Sequence, residues 1–308
     1  MKPVTPRVAA LLNEPELRAL LERYRRENWR GIQTAEWQAR IVDQTVEDNG
    51  EATFDQLSGV WNLPENATIL DIGSGIGTFV IACHRRGLSA YGIEPDRIGQ
   101  GGSITAIQIA SRRTEHQVFA VATGEVLPFS DRSFDLVTMN QVMEHVSDQK
   151  AVLREAARVL KPGGAIYVAC PNYLRFYEPH YKIFWIPLLP KTLGRLYLRA
   201  RGRSPALLNQ ITYTTNSRLR RLVRDLGPPY ATIDLHREKF LEKCEQGSFL
   251  SLRARMVCWM ADLPVIGRVI TWAALRLLSW TEGGVEMIVV RRKEEQAELG
   301  RARLSVGL

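Results

Sequence analysis

The chain has 308 residues and only four cysteines, Cys83, Cys170, Cys244 and Cys258, which lie far apart with no Cys-x-x-Cys pair. A disulfide framework is excluded, and a reducing, cytoplasmic compartment is expected. The five histidines show no metal-ligand spacing, so no metal is expected. Long apolar runs are also missing. Val8 to Leu12 is too short for the apolar region of a signal peptide, because charges resume directly after it. Met256 to Trp280 is the most apolar stretch, but Asp262, Pro264, Arg268 and Arg276 interrupt it, whereas a spanning helix needs roughly 20 predominantly apolar residues. No transmembrane segment is expected. Internal repeats and low-complexity linkers are absent too, and 45% hydrophobic with 24% charged content describes a globular chain.

Acidic residues are the scarcer charge. Lys and Arg total 41 against 33 Asp and Glu, giving +8. Residues 171–255 carry 16 basic and 6 acidic side chains, while 61–170 carry 10 and 11, so one segment holds the excess. A concentrated basic segment points to an anionic partner on that part of the molecule.

Apolar residues at helical spacing (Leu17, Leu20, Leu21, Tyr24, then Trp37, Ile41, Val42, Val46) predict an N-terminal helical cap over residues 1–64, broken near Trp29-Arg30-Gly31. From 65 to 308 the texture predicts one doubly wound α/β domain with a mostly parallel seven-stranded Rossmann-like sheet. Its strands are expected at Ala67–Ile72, Ser89–Ile93, Gln117–Val121, Phe134–Met139, Ala165–Ala169, Tyr230–Leu235 and Val285–Val290. Helices are expected at about 77–87, 103–112, 148–160 and 215–226, the last capped by Asn216 or Ser217. Two insertions, about 171–213 and 237–281, interrupt the alternation. In such a sheet the ligand crevice lies at the carboxyl ends of the strands.

The chemistry concentrates in Ile69-Leu70-Asp71-Ile72-Gly73-Ser74-Gly75-Ile76-Gly77-Thr78-Phe79, an apolar strand running through a glycine turn into a helix. Glycines there permit a tight turn and close approach of a ligand to the backbone. Glu94, ending the second strand before Pro95, is placed to accept both hydroxyls of a ribose. The dinucleotide fingerprint puts its third glycine three residues after the second. Here the spacing is two, and Asp71 would repel a pyrophosphate while suiting an ammonium or sulfonium group. A nicotinamide-dependent oxidoreductase is therefore disfavoured.

Downstream stand Glu125-Val126-Leu127-Pro128-Phe129, Ser133-Phe134-Asp135-Leu136-Val137, Met143-Glu144-His145-Val146, and Leu153 to Leu160 followed by Lys161-Pro162-Gly163-Gly164. This ordered series, over about residues 67–171, resembles the class I S-adenosylmethionine-dependent methyltransferases of the small-molecule (type 11/12-like) branch that includes quinone-pathway O-methyltransferases. The resemblance implies an enzyme using S-adenosylmethionine and releasing S-adenosylhomocysteine. It implies that Asp71, Gly73, Ser74, Gly75 and Gly77 hold the methionine portion and that Glu94 and Pro95 hold the ribose. Asn140 and Gln141 then face the methyl-donor pocket. The family's adenine-binding Asp-Ala pair falls on Thr123-Gly124, a departure that leaves Glu125 as the nearest acid. Lys161-Pro162-Gly163-Gly164 matches a structural turn.

Methyl transfer from a sulfonium is an in-line displacement accelerated mainly by positioning. A base is needed only when the acceptor must lose a proton, and His145 and His180 are the candidates by residue type. Aromatic residues and arginines in 171–213 (Arg195, Arg199, Arg201, Arg203) suit a small or lipid-linked acceptor with an apolar part and an anionic group, oxygen being the expected target atom. They equally suit peripheral contact with an anionic membrane through 183–198 or 256–280. A nucleic-acid methyltransferase is the alternative raised by the basic charge. Base-amine methylases of this superfamily usually carry Asn/Asp-Pro-Pro-Tyr/Phe after the fourth strand, and Met139-Asn140-Gln141-Val142 stands there instead. A non-catalytic cofactor-binding relative also remains open.

Overall fold

The computed structural model describes residues 13–28, 47–96, 103–227, 229–236 and 284–292. Two helices, α1 (Pro15–Asn28) and α2 (Glu47–Ser58), precede the alternating part. There follow β1 (Thr68–Ile72), α3 (Thr78–Arg85), β2 (Ser89–Glu94), α4 (Ile104–Arg112), β3 (Phe119–Val121), β4 (Phe134–Asn140), α5 (Gln149–Val159) and β5 (Leu160–Cys170). A short hairpin of β6 (Tyr177–Glu178) and β7 (Ile183–Phe184) leads to α6 (Lys191–Ala200), α7 (Ala206–Gln210) and α8 (Asn216–Arg224), then β8 (Tyr230–Asp234) and β9 (Val285–Arg291).

Seven strands form one sheet in the order β3-β2-β1-β4-β5-β9-β8, parallel from β3 through β5. Strand β9 runs antiparallel between β5 and β8. Side chains alternate across a strand, so consecutive residues feed opposite cores. Leu70, Val137 and Ile166 pack with Val152, Leu153 and Ala156 of α5 and with Leu219 and Val223 of α8. Ile69, Leu136, Tyr167 and Ile288 pack with Phe79, Val80 and Cys83 of α3 and with Phe54 and Leu57 of α2. Each fully buried Leu or Ile contributes roughly 1.5–3 kcal/mol, which is why both faces of this sheet are covered by helices.

The lead-in helices pack on the sheet and its helices. Leu17, Leu21 and Tyr24 of α1 meet Ile76, Ala106 and Ile109. Glu27 accepts hydrogen bonds from Ser103 Oγ at 2.6 Å and Thr105 Oγ1 at 2.8 Å, while Ser103 Oγ in turn accepts from the Thr105 N–H and caps α4. Gln56 of α2 donates to Tyr167 Oη at 3.2 Å and also to Glu286 of β9.

All seven expected strands are present, and three local expectations change. The cap of α8 is Thr215, whose hydroxyl accepts from the Arg218 N–H at 3.1 Å, rather than Asn216 or Ser217. Asn216 is the first residue of that helix, and its side chain donates to Asp234 at 2.5 Å. Lys161-Pro162-Gly163-Gly164 lies within β5 instead of forming a turn. The ladder shifts register between Phe134 and Leu136, and Gly163 takes φ +85°, so the Pro-Gly-Gly chemistry marks a bulge. The first insertion is structured: Ile183, Trp185, Leu198 and Leu208 make a core of their own. The expectations for 237–281, for the Trp29-Arg30-Gly31 break and for Cys244 and Cys258 lie outside the described residues.

Candidate functional site

The turn between β1 and α3 is fixed to β2 by the N–H groups of Gly73 and Ser74, which donate to the Ile93 carbonyl at 2.8 and 3.0 Å. Gly73 has φ +72°, and a Cβ there would stand 2.5 Å from Val142 Cγ2. Gly75 has φ +52°, and a Cβ there would meet nothing within 4 Å, so this backbone faces open space. The Gly75 N–H donates to Glu94 Oε2 at 2.9 Å.

Two cavities flank this turn and share Gly73, Gly75 and Gln141. The larger, about 360 Å³, is lined among others by Asp71, Ser74, Thr138 and Asn140. The smaller, about 100 Å³, is lined among others by Glu94, Pro95, Thr123, Gly124, Glu125 and His145. Gln141 between them holds φ +59°, a left-handed conformation costly for a non-glycine residue, and its N–H donates to the Ala169 carbonyl at 2.7 Å.

Two buried carboxylates dominate the electrostatics. Burial pushes Asp71 up to about 7, opposed by a 2.6 Å hydrogen bond from Thr138 Oγ1. Burial likewise pushes Glu94 up to about 8, with the Gly75 N–H pulling it down and the charge of Asp71 pushing it further up. A cation beside Asp71 and hydroxyl donors beside Glu94 would each stabilise the ionised form. The donor set thus fits a ligand with a cationic amino-acid end and a ribose, lying across an open glycine backbone.

Of the expected cofactor contacts, Gly77 alone lines neither cavity. Its glycine is explained by packing: φ is +81°, and a Cβ would stand 2.6 Å from Phe119 and 2.9 Å from Ala110. Glu125 accepts from the Ser147 hydroxyl at 2.9 Å, so this carboxylate is already engaged. Sequence reading missed Tyr24, Asn49 and Thr53, which line the larger cavity from the N-terminal helices. No local motif marks them, since only the packing of α1 and α2 brings them there.

His145 and His180, separated in sequence, meet edge to face with ring centroids 5.3 Å apart. His145 lines the smaller cavity, and His180 lines neither. Burial, followed by the charge of His180, pushes His145 down to about 4. His180 Nδ1 lies 2.8 Å from Glu178 Oε1. Glu178, fully buried, also accepts from Tyr173 Oη at 3.3 Å and from the Tyr181 N–H at 2.6 Å. Glu144 is fully buried with no hydrogen bond to either carboxylate oxygen among the described residues, and burial pushes it up to about 7. The first insertion is anchored to this corner by the Thr212 N–H, which donates to the Glu144 carbonyl at 2.7 Å. Arg195, Arg199, Arg201 and Arg203 line neither cavity, and the last three are exposed.

A doubly wound sheet, a glycine turn at the end of β1 and an acid at the end of β2 together define a fold of the class I S-adenosylmethionine-dependent methyltransferase type. The family model described as "Methyltransferase domain" matches residues 41–228, and the chain belongs to this family. An uncharacterized methyltransferase of Mycobacterium sp. (strain KMS) is 39% identical over 118 residues, 38% of this chain and 44% of that protein. A demethylmenaquinone methyltransferase of Thermotoga maritima is 28% identical over 184 residues, 57% of this chain and 70% of the relative. The chain thus spans less than half the length of the mycobacterial relative it matches. Among solved structures, a SAM-dependent methyltransferase from Archaeoglobus fulgidus aligns with TM-score 0.49 and 16% identity, covering 80% of this chain and 94% of that one.

Proposed function

We propose that the protein transfers a methyl group from S-adenosylmethionine to a hydroxyl oxygen of a small or lipid-linked acceptor reached from an anionic membrane surface. The observation that carries the donor half is the pair of buried acids, Asp71 and Glu94, on either side of an open glycine backbone. Bound S-adenosylmethionine supplies an electrophilic methyl group on a sulfonium centre. Asp71 holds the ammonium end, Glu94 accepts the ribose hydroxyls, and Gly73, Ser74 and Gly75 give the ligand its approach to the backbone. Pro95, Thr123, Gly124 and Glu125 bound the adenine side, Asn140 lines the larger cavity, and Gln141 borders both. His145 and His180, with Glu144, form the acceptor end and handle the acceptor's proton. The demethylmenaquinone methyltransferase among the relatives is in keeping with a small-molecule acceptor.

The membrane half is supported by exposed apolar side chains of the first insertion. Phe184, Ile186, Leu193 and Leu196 are 59%, 55%, 54% and 65% exposed, and Arg199, Arg201 and Arg203 are exposed close by in sequence. Apolar side chains next to arginines suit the boundary between headgroups and acyl chains. No helix of the described residues is long and apolar enough to cross a membrane.

Two measurements test this reading. Calorimetric titration with S-adenosylmethionine and S-adenosylhomocysteine should give one site per chain, and absence of binding to both would overturn the donor half. Co-sedimentation should show binding to phosphatidylglycerol vesicles, weak binding to phosphatidylcholine vesicles, and loss of the former in Leu193→Asp/Leu196→Asp. Equal behaviour of wild type and variant would overturn the membrane half.

A further inference from the structure

We propose that Glu144, His145 and His180 bind one divalent transition-metal ion beside the smaller cavity, which His145 lines. Each of the three offers one ligand atom, and these atoms lie within 4.8 Å of one another. Ligand atoms around one ion stand roughly 3–4 Å apart at bond lengths of about 2.0–2.2 Å, so a small contraction completes the set.

The present partners do not explain these side chains. A buried carboxyl group with no hydrogen-bond partner costs a folded chain free energy, and Glu144 has none at either oxygen among the described residues. His145 Nδ1 is also buried with no partner, and His145 Nε2 stands 3.9 Å from Glu144 Oε1, too far for a hydrogen bond. A cation among them would give the Glu144 carboxylate the partner it lacks and take one ring nitrogen from each histidine.

The surroundings have the form a metal site needs. Metal-bound histidines commonly pass their other ring nitrogen to a carboxylate, which fixes the tautomer and the ring orientation. His180 does so through Nδ1 to Glu178, leaving Nε2 as its free nitrogen. Glu178 is itself fixed by Tyr173 and Tyr181. Glu178 thus acts as a positioning residue. Two imidazoles with one carboxylate favour Zn²⁺, Co²⁺, Fe²⁺ or Mn²⁺ over Mg²⁺ and Ca²⁺, which prefer all-oxygen sites. Three protein ligands leave coordination positions open, and His145 opens one side of the site onto the cavity.

The chemical consequence, though not the binding itself, rests on the methyltransferase reading. A cation here lowers the pKa of an acceptor hydroxyl. With the ion bound, the three side chains hold it and act on the acceptor's proton through it: the proton leaves to water, the oxygen bonds to the methyl carbon, and the carbon–sulfur electron pair stays on sulfur as a neutral thioether.

The test uses the full chain stripped with a chelator and titrated with Co²⁺ and with Zn²⁺. One equivalent per chain is expected, with a visible Co²⁺ spectrum of mixed nitrogen and oxygen ligation and persistence in excess Mg²⁺. Glu144→Gln and His180→Ala should each weaken binding more than tenfold, and Glu178→Gln about tenfold through loss of ring orientation. Circular dichroism shows whether each variant folds, and His180→Ala, partly exposed at the substituted ring, serves if Glu144→Gln does not. Uptake below one equivalent in the wild type, or equal uptake in wild type and a folded ligand variant, would overturn the proposal. S-adenosylhomocysteine titrations run in parallel separate the two readings. Metal uptake without nucleoside binding sinks only the methyltransferase reading, and the reverse sinks only the metal site.

Discussion

Replacing Glu94 with Gln should remove most of one proton's worth of pH dependence from the stability of the ligand-free protein. Glu94 is buried in the fold and its carboxyl is raised from the ordinary 4.5 to about 8. A carboxyl raised by folding adds stability that is fully present below its unfolded pKa and is lost as pH climbs through the folded one. For a folded value of about 8, the wild type loses about 1.4 kcal/mol between pH 7 and pH 9 from this group. Glu94→Gln keeps the shape of the protonated acid and a carbonyl oxygen for the Gly75 N–H, so its stability should lack that loss. Asp71 titrates in both proteins and largely cancels in the comparison, although its charge feels Glu94. Urea melts of both proteins at half-unit steps from pH 6 to pH 9 give the difference directly. In thermal melts it should appear as a relative shift of roughly 2–4 °C. The same reasoning requires proton release when a ribose-bearing ligand binds at pH 7, read by calorimetry in buffers of different ionisation enthalpy. Parallel stability curves for the two proteins would refute the claim that Glu94 is protonated in the ligand-free fold.

Gly73→Ala should cost about 1–3 kcal/mol in urea melts, because the left-handed φ and the 2.5 Å approach to Val142 both oppose a side chain. Gly77→Ala should destabilise by a similar amount against Phe119 and Ala110 while leaving nucleoside affinity of the folded fraction within about twofold, a separation that calorimetry checks. Thr138→Val deletes the 2.6 Å hydrogen bond to Asp71, so the Asp71 carboxyl should rise further. Affinity for a cationic ligand at pH 7 should then fall about tenfold and recover toward pH 9, measured as Kd against pH. Cys83 and Cys170, buried and raised by desolvation, should resist a thiol reagent until the chain unfolds, as a timed labelling experiment in urea will show.

The sheet was legible because each strand carries its own signal, a short apolar run bounded by turn residues. Asp71, Gly73, Gly75 and Glu94 were legible for the same reason, since one strand end and one turn carry them all. What escaped depends on distant chain segments meeting. His145 and His180 were candidates by residue type, but nothing near Glu144 in sequence announces that His180 and Glu178 will meet it from the first insertion, and the search for local metal-ligand spacing passes over them. Gly77 looked like a ligand contact because its neighbours are, yet the space beside it belongs to Phe119. The turn that the family resemblance implied at Lys161-Pro162-Gly163-Gly164 is absorbed into β5 by its pairing with β4. The basic excess was countable, but not which arginines are engaged in the fold: Arg218 donates to Gln149 and Arg220 to Asp234.

The position of β9 sets an order of assembly. Ala165 to Cys170 of β5 pair on one side with β4, which the ribosome has already delivered, and on the other with β9, which emerges only after both insertions. Until then β5 is an open edge carrying Ile166 and Val168, a template for pairing with other chains. Strand β8 waits longer, because its only sheet neighbour among the described strands is β9. Vectorial synthesis therefore builds β1 to β5 first and closes the sheet late, and a chain stopped before Val285 should aggregate through β5 rather than persist as a smaller domain.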